Sequence, residues 1–369
     1  MQSFFTANGH SIVGSPQEAD VCIAGVCAAF EADEAVSVEI IRELLDFDGP
    51  VHVYGCLTRV SPERIPFETT YPTWDPQTLL SQIVDCPQVR WSDIPLPSRF
   101  RRKEDYRVFN RGTQFVGIAT GCSFDCSYCP HKLGVGEIQS RPIEDVVLQV
   151  RHLIAEQAQT IILTATDTAC YGVDIRLSFP ELLEAILRLS NQRTSFHIAQ
   201  FNPEGLFTNM GKMLACCSDE RIHDIQLPVQ SASPRLLKLM NRRYSPQEVR
   251  EFVEKLKVRN PRVFLRTDLM VGFPTETIEE LEESVDFAMH NFDEIAVYAF
   301  ELKQRTPVAS QDLAAIPVSE VKRRQRYAAN RLKRAGKLVH SGGQIRSTLV
   351  KSDRTKELMR QAKERGGRI

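Results

Sequence analysis

Apolar residues recur along this chain in two patterns, one typical of helices and one of buried strands. Between residues 142 and 157 they fall three and four residues apart on one face of a helix, at Ile143, Val146, Val147, Val150, Leu153 and Ile154. Short apolar runs without this period predict strands at Phe115–Ala119, Thr160–Thr166, Phe196–Phe201, Asp224–Leu227, Phe264–Val271 and Ile295–Phe300. Six strands, most of them separated by helices, predict a parallel βα barrel or a partial one. Such barrels place their chemistry on loops at the carboxyl ends of the strands.

A smaller α/β unit precedes the predicted barrel. Its strands are expected around Val21–Ala24 and at Val51–Tyr54, with a helix from about Ala35 to Leu45 between them and a short helix at Thr78–Val84. Seven prolines between residues 62 and 97 interrupt any longer element there. We therefore expect a small N-terminal α/β domain at 1–98, a linker at 99–112, a partial (βα)6 barrel at 113–310 and a basic helical tail at 311–369.

Composition narrows the class of protein. With 42% hydrophobic and 25% charged residues over 369 positions, the chain is not disordered or collagen-like. No apolar run approaches the ~20 residues that a bilayer requires, and Met1 to His10 do not have the order of a secretory signal, so a cytoplasmic protein with no membrane partner is expected. The net charge of −1 conceals an asymmetry, because residues 320–369 hold 16 basic and only 4 acidic residues.

Three of the ten cysteines lie in one loop directly after the first predicted barrel strand. In a reducing compartment, metal and catalytic roles are considered before disulfides. Cys122, Cys126 and Cys129 fall within eight residues, so one loop can bring all three thiols to a small cluster. Three ligands leave one iron of a [4Fe–4S] cube open to a chelating molecule. A zinc site would need a fourth ligand, for which His131 is the only nearby candidate in the sequence.

The motif Cys122-xxx-Cys126-xx-Cys129, with Tyr128 before the last cysteine, resembles the signature of the radical S-adenosylmethionine (SAM) superfamily. Further segments resemble the methylthiotransferases of that superfamily, from about Gln17 to Ser310: Ser140–Pro142, Leu163–Thr168 with Tyr171-Gly172, Leu227–Ser233 with Leu236–Arg242, and Thr267–Thr277. These enzymes insert a methylthio group into a tRNA adenosine or a ribosomal-protein aspartate. The resemblance implies that SAM binds the open iron and is cleaved by one electron to a 5′-deoxyadenosyl radical. It also implies an electron donor such as a flavodoxin or ferredoxin.

The resemblance and the residue types together suggest a SAM site. Tyr128 is expected near the adenine, and the backbone at Gly272 offers groups to an adenine edge. Arg242 or Lys238 would pair with the SAM carboxylate. The remaining expected cofactor contacts are Asp167, Thr168, Gln230, Ser231, Ser233 and Glu276. Alternatively, Ser233 only caps a helix before Pro234, and Gly272 only turns the chain.

A second, auxiliary cluster is implied by the same resemblance. In methylthiotransferases three N-terminal cysteines hold it, and here Cys27 and Cys56 match the second and third of them. Both follow predicted strands, so both thiols are expected at one edge of the sheet. The first cysteine has no counterpart. Three explanations stay open: the start is too late, Cys22 substitutes, or the cluster has two protein ligands or is absent.

The other cysteines, Cys86, Cys170, Cys216 and Cys217, are more typical of structural positions. His197 on the third barrel strand could face the barrel interior and meet substrate, although a satisfied core histidine is commoner.

The C-terminal region differs from that of the methylthiotransferases, which normally end in a small RNA-binding β-barrel. Here 318–339 and 352–365 are predicted to be helical, and only 344–351 suggests a strand. The basic residues could bind RNA phosphates, or they could form the solvated face of a helix that covers the last barrel strand.

Three functions follow. The first is insertion of sulfur or a methylthio group into a C–H bond of a peptide or small biosynthetic intermediate, with the methyl group supplied by a second SAM. The second is methylthiolation of a tRNA adenosine near the anticodon. The third is a non-catalytic binding role with a vestigial cluster.

Overall fold

The computed structural model describes residues 2–66, 70–73, 76–84, 87–89, 112–189 and 193–341. They form two compact units. Unit 1 comprises residues 2–89 and Leu133–Val135, and unit 2 comprises residues 112–132 and 136–341, in each case for the described residues. The predicted linker and the predicted elements at 344–351 and 352–365 lie almost entirely outside the described residues, as does Cys86.

Unit 1 contains a three-stranded parallel sheet in the order β1-β2-β3. Its elements are α1 (Gln2–Ala7), β1 (Cys22–Val26), α2 (Glu31–Leu44), β2 (Val51–Gly55), α3 (Leu57–Val60), β3 (Thr70–Thr73) and α4 (Pro76–Ile83), with 3₁₀ turns at Pro16–Glu18 and Pro62–Arg64. Apolar residues from β1, α2 and β2 form its core, including Ala24, Ile41 and Val53. The predicted α/β character of this region is confirmed, whereas α1 and β3 were not expected from the sequence.

Unit 2 is built on a seven-stranded, all-parallel sheet with helices between its strands. Its longer elements are β4 (Thr113–Gly117), β5 (Ala119–Thr120), α5 (His131–Val135, of which the last three residues belong to unit 1), β6 (Gln139–Ser140), α6 (Ile143–Ala155), β7 (Thr160–Thr164), α7 (Phe179–Leu187), β8 (Ser195–Ile198), α8 (Glu204–Thr208), α9 (Met210–Cys217), β9 (Ile222–Gln226), α10 (Pro234–Leu239), α11 (Pro246–Arg259), β10 (Phe264–Val271), α12 (Ile278–Asn291), β11 (Glu294–Ala299), α13 (Val318–Arg334) and β12 (Leu338–Ser341). The short strands β5 and β6 pair with each other and not with the main sheet.

The order of strands in the large sheet is β12-β11-β10-β9-β8-β7-β4, so each strand lies beside the one before it in sequence. All pairings are parallel, and β4 and β12 form the two edges. This is the open barrel that the strand-helix pattern predicts. Because the strands are parallel, the loops after β4, β7, β8, β9 and β10 all emerge at the same end of the sheet.

The sheet continues beyond the end expected from the sequence. The helix predicted at 318–339 ends at Arg334, and Gly336 reverses the chain with a φ of 78°. The chain then enters β12, which pairs with β11 through Ile295 and Val339. Leu338–Ser341 is too short and too mixed in polarity to predict a strand by itself, so its pairing partner decides its conformation.

Candidate functional site

The cysteine loop lies at the carboxyl end of β4 and is tied to the end of α10. The Ser127 hydroxyl donates to the Leu239 carbonyl at 2.7 Å, and the Ser127 amide donates to the Met240 carbonyl at 2.9 Å. The Asn241 side chain donates to the Asp125 carbonyl at 2.8 Å. The loop is therefore positioned by residues more than 100 positions further along the chain.

All three loop thiols are half-buried and free. Burial raises the pKa of Cys129 to about 11 and also raises the pKa of Cys126, where the nearby Arg242 charge opposes the shift. Within the described residues, the three sulfurs do not form a group in which all lie within 4.8 Å of one another. That spacing fits separate irons of one cluster better than a single ion, and a cluster would stabilise thiolates that burial alone disfavours. The residues present therefore fit a [4Fe–4S] cluster with three protein ligands.

Arg242 links this loop to the strand end after β9. Its guanidinium lies 3.7 Å from Cys126 Sγ and donates to Tyr128 Oη at 3.3 Å. It also donates to the Pro228 carbonyl at 2.6 Å, and it is only 7% exposed. Tyr244, which no sequence motif indicated, accepts a hydrogen bond from Arg242 Nε at 3.3 Å and donates to the Val229 carbonyl. The structure thus brings together the predicted residues Cys126, Tyr128 and Arg242.

Tyr128 itself packs among apolar residues of α10 and of the segment after β10, and burial raises its pKa well above the usual range. Its hydroxyl therefore stays protonated, and its contact with Arg242 is that of a neutral phenol.

Asp167 and Thr168 follow β7 but have different surroundings. The Asp167 carboxylate accepts from the Ala169 amide at 2.9 Å and lies in a group with Cys122 and Cys170. Thr168 is fully buried, and its hydroxyl donates to the Ala199 carbonyl at 2.8 Å. Asp167 is thus beside the cysteine loop, whereas Thr168 holds the end of β8.

The sequence predicted a structural role for Cys170, and the structure places this residue beside the cysteine loop. Its sulfur lies 3.8 Å from Cys122 Sγ and accepts a hydrogen bond from the Ser123 amide at 3.3 Å. The sequence contained one relevant signal, because Cys170 comes soon after a barrel strand, where site residues are found. No local motif connects it to a cysteine 48 positions earlier.

Three predicted contacts after β9 have protein partners of their own. Ser231 Oγ lies 3.1 Å from Ser284 Oγ. Ser233 caps α10 by accepting from the Leu236 amide at 3.2 Å, and it donates to Glu280 at 2.7 Å. Gln230 joins β10 through its backbone, which bonds to Asp268 and Met270. Ser233 is therefore the N-terminal cap of α10, as the alternative prediction for this residue stated.

Gly272 and Glu276 pack against α13. A Cβ at Gly272, where φ is 83°, would lie 2.6 Å from the Val321 side chain. Glu276 accepts from the Gly272 amide at 2.9 Å and pairs with Arg324 at 3.1 Å. Burial raises the pKa of Glu276 to about 7. The absence of a side chain at Gly272 therefore allows α13 to approach closely. The Glu276 carboxylate is already bonded to Arg324 of that helix.

Several buried polar side chains from β8, β9 and β10 lie close together. Arg266 donates to Asp224 with 2.8 Å between Nε and Oδ1, and Gln226 donates to Asp268 at 3.2 Å. His197 is buried beside them, and burial lowers its pKa to about 3, with the Arg266 charge acting in the same direction. The histidine is therefore neutral. Asp224, Asp268 and Arg266 thus contribute two carboxyl groups and one guanidinium, and the nearby Arg242 charge also acts on Asp268.

In unit 1, Cys27 and Cys56 come directly after the last residues of two paired strands. Val26 pairs with Gly55 in the β1–β2 register, so the next residue of each strand lies at the same edge of the sheet. Burial raises the pKa of Cys27 to about 11, and a smaller contribution comes from Cys56.

Cys22 cannot reach these two thiols. It begins β1, whereas Cys27 follows the end of that strand, which separates them by roughly 16 Å of extended chain. Its side chain is buried in the unit 1 sheet. Substitution of Cys22 for the missing cysteine, one of the three explanations above, is therefore excluded by the fold.

The basic helix α13 covers the last strands of the sheet. Arg324 is buried and bonds to Glu276, while Arg331 pairs with Asp286 at 2.7 Å and Arg323 with Glu320 at 2.7 Å. Ala328 and Leu332 follow Arg324 at spacings of four residues and are fully buried on the same face of the helix. Several of its cations are thus already paired within the protein.

None of the helices in the described part of the chain combines the length and apolar character that a bilayer crossing needs.

The chain is similar in sequence to known protein families. The profile of the Radical SAM superfamily matches residues 116–288. The chain is 30% identical to a protein of Pyrococcus horikoshii described as "Probable threonylcarbamoyladenosine tRNA methylthiotransferase", over 78% of this chain and 69% of that protein. It is 29% identical to the ribosomal protein uS12 methylthiotransferase RimO of Thermotoga petrophila, over 86% of this chain and 75% of that protein.

Solved structures show the same fold at lower identity. The radical SAM methyltransferase TsrM of Kitasatospora setae, solved with cobalamin and a [4Fe–4S] cluster, superposes with a TM-score of 0.60 at 14% identity. The match covers 95% of this chain and 89% of that chain. At this identity the likeness concerns the fold alone.

Proposed function

The chain belongs to the methylthiotransferase family of the radical SAM superfamily, and from this premise we propose that it inserts sulfur or a methylthio group into a C–H bond of a peptide or small biosynthetic intermediate. It is a sulfur-transferring enzyme. We therefore do not pursue a non-catalytic binding role with a vestigial cluster. The family implies a [4Fe–4S] cluster and SAM as cofactors. Reductive cleavage of SAM to generate a hydrogen-abstracting species is the chemistry that they supply when bound.

The observation that carries the proposal is the position of the cysteine loop at the carboxyl end of the barrel, with a buried guanidinium against it. Cys122, Cys126 and Cys129 would hold the cluster. Arg242 would orient the loop through Cys126 and Tyr128, and its charge favours the thiolate form of Cys126. The same guanidinium suits the SAM carboxylate, as predicted, if a bond within the protein is exchanged for one to SAM. Asp167 would face the cluster from the neighbouring strand end.

Cys27 and Cys56 would hold an auxiliary cluster that carries the sulfur. Their adjacent positions after paired strands support this assignment, because two thiols at one sheet edge can share a cluster. An external electron donor such as a flavodoxin or ferredoxin is part of the proposal.

The choice of a peptide or small molecule rests on charge. The Asp224 and Asp268 carboxyl groups balance the charges of Arg266 and Arg242, so this buried polar group has no excess of positive charge to offer a phosphate. The cations of α13 that pair with Glu276, Asp286 and Glu320 are less available to an RNA backbone.

Methylthiolation of a tRNA adenosine is the second candidate, favoured by the relative from Pyrococcus horikoshii, whose description names that activity. The basic residues after 343 could supply the RNA contacts.

The enzymatic core of the proposal is tested with anaerobically reconstituted, reduced protein. We expect conversion of SAM to 5′-deoxyadenosine, loss of that activity in a Cys122→Ala variant, and retention in a Cys216→Ala variant, whose sulfur lies 3.7 Å from the Pro180 carbonyl. A wild-type protein that carries a full cluster and yet forms no 5′-deoxyadenosine would refute the assignment.

The auxiliary cluster has its own measurement. In a variant with Cys122, Cys126 and Cys129 all changed to Ala, iron and sulfide should remain bound, and they should be lost when Cys27 and Cys56 are changed as well. Absence of iron in the triple variant would remove the auxiliary cluster from the proposal.

The substrate class is tested by tRNA binding as a function of salt. If the substrate is a peptide or a small molecule, a chain that ends at residue 343 and the full chain should bind tRNA equally weakly. Tight binding by the full chain, with a salt dependence that the shorter chain lacks, would favour the tRNA activity instead.

A further inference from the structure

Cys122 has a second possible set of partners that does not include the other loop cysteines. Cys170 Sγ lies 3.8 Å from Cys122 Sγ, and Asp167 belongs to the same group, with one ligand atom from each residue all within 4.8 Å of one another. Among the described residues this is the one group of three or more such side chains that comes close enough to hold a single ion.

The distance between the two sulfurs is that of a thiol–thiol hydrogen bond, and it also matches the spacing of two thiolates on one metal ion. Two thiolates on one tetrahedral zinc ion, each with a Zn–S bond of about 2.3 Å, are separated by about 3.8 Å. Two thiolates on different irons of a cube are farther apart, because a metal–metal edge lies between them. The 3.8 Å separation of Cys122 and Cys170 therefore fits one ion, and it does not fit two corners of one cluster.

The surrounding groups hold these ligands in place. The Ala169 amide at 2.9 Å and the Asn202 amide at 3.3 Å both donate to Asp167 Oδ1, which fixes the carboxylate. The Ser123 amide donates to Cys170 Sγ at 3.3 Å, and Cys170 is only 1% exposed. Hydrogen bonds of this kind orient metal ligands and strengthen their binding.

We propose that the cluster-free protein binds one zinc ion through Cys122, Asp167 and Cys170. Two thiolates and a carboxylate form a donor set that zinc accepts, and three protein ligands leave its fourth position open. Because Cys122 is also a ligand of the proposed iron–sulfur cluster, zinc and the cluster compete for the same thiolate. Only this competition rests on the proposed function, since zinc binding itself needs no cluster.

The zinc site is tested on full-length protein from which iron has been removed anaerobically. Cobalt(II) serves as a spectroscopic probe, because thiolate-to-cobalt charge-transfer absorption reports sulfur ligands, and zinc affinity is measured by displacement of cobalt. The wild type should bind one equivalent. Cys170→Ala and Cys170→Ser remove a direct ligand and should lower the affinity by more than the roughly 10- to 100-fold that loss of an outer-shell partner costs.

Two further variants make the result decisive. Asp167→Asn, which preserves the size of the side chain and its ability to accept from Ala169, should also weaken zinc binding. Cys216→Ala, which removes a half-buried thiol outside the group, should bind zinc as the wild type does. Thermal melts by circular dichroism identify any variant that does not fold. Wild-type zinc affinity in folded Cys170 variants, or dependence on Cys126 and Cys129 instead, would overturn the site.

Competition between zinc and the cluster for Cys122 is measured by the rate at which iron–sulfur absorption develops during reconstitution. Preloading with one equivalent of zinc should slow assembly in the wild type and have little effect in Cys170→Ala. Equal slowing in both would overturn the competition. If neither protein assembles a cluster, the proposed function fails, while the cobalt and zinc titrations still decide the zinc site.

Discussion

Among single residues, Arg242 connects the cysteine loop to the segment that follows β9. It is buried, and it bonds at once to the Pro228 carbonyl, to Tyr128 and to Cys126. A guanidinium provides several donors in one plane, which no other side chain can match at this position.

Changing Arg242 to Met should therefore destabilise the protein and slow cluster assembly. Loss of the donor leaves the buried Pro228 carbonyl unsatisfied, at a cost of about 1–3 kcal/mol in the free energy of unfolding. Urea unfolding and the rate of reconstitution measure the two effects. Arg243→Met, at the exposed neighbouring position, is the control and should change neither; similar losses in the two variants would contradict the role of Arg242.

Glu276 should make the stability of the protein depend on pH. Burial raises its pKa from the ordinary 4.5 to about 7, so between these pH values the folded state retains a proton that the unfolded state has released. The free energy of unfolding should then fall as pH rises from about 4.5 to 7, by up to about 3 kcal/mol for this group.

The Glu276→Gln variant isolates this effect, since its amide oxygen can still accept from the Gly272 amide but cannot titrate. Denaturant unfolding at several pH values should show the variant gaining stability relative to the wild type as pH rises through this window. Parallel stability curves for the two proteins would show that Glu276 ionises normally.

At the scale of secondary-structure elements, the turn from β2 into α3 positions Cys56. Gly55 has a φ of 131°, and a Cβ there would lie 2.1 Å from the Val26 carbonyl oxygen of the neighbouring strand. Only glycine fits a conformation and an approach of this kind.

Changing Gly55 to Ala should lower the free energy of unfolding by about 1–3 kcal/mol and displace the thiol that follows it. Circular dichroism during urea unfolding and the reactivity of Cys56 toward a thiol reagent measure the two effects. Gly14→Ala is the matched control, because no atom lies within 4 Å of the added Cβ. Equal stability of the two variants would mean that the strand pair adjusts without cost.

At the scale of the whole molecule, unit 2 extends into the region that the sequence analysis assigned to a basic tail. Helix α13 buries Ala328 and Leu332, and β12 pairs with β11 at one edge of the sheet. Residues 318–341 are thus part of the barrel fold, and their charge reflects a solvated outer face.

A chain that ends at residue 317 should accordingly be much less stable or less soluble than one that ends at residue 343, because it uncovers the apolar surface beneath α13. Soluble yield and melting temperature distinguish the two truncations. A stable, soluble 317-residue chain would show that α13 and β12 are dispensable to unit 2.

Features that depend on neighbouring residues can be predicted from the order of residues along the chain. Apolar patterning predicted six of the seven strands of the large sheet and helix α6, since a buried face repeats every two or 3.6 residues, and the spacing of Cys122, Cys126 and Cys129 predicted one cluster loop. Contacts between distant positions were decided only by the tertiary structure. Packing places Cys170 beside Cys122, commits Glu276 to Arg324, separates Cys22 from Cys27, and adds β12 to the sheet. Such pairings depend on how whole elements pack against one another, and no local pattern in the chain encodes that arrangement.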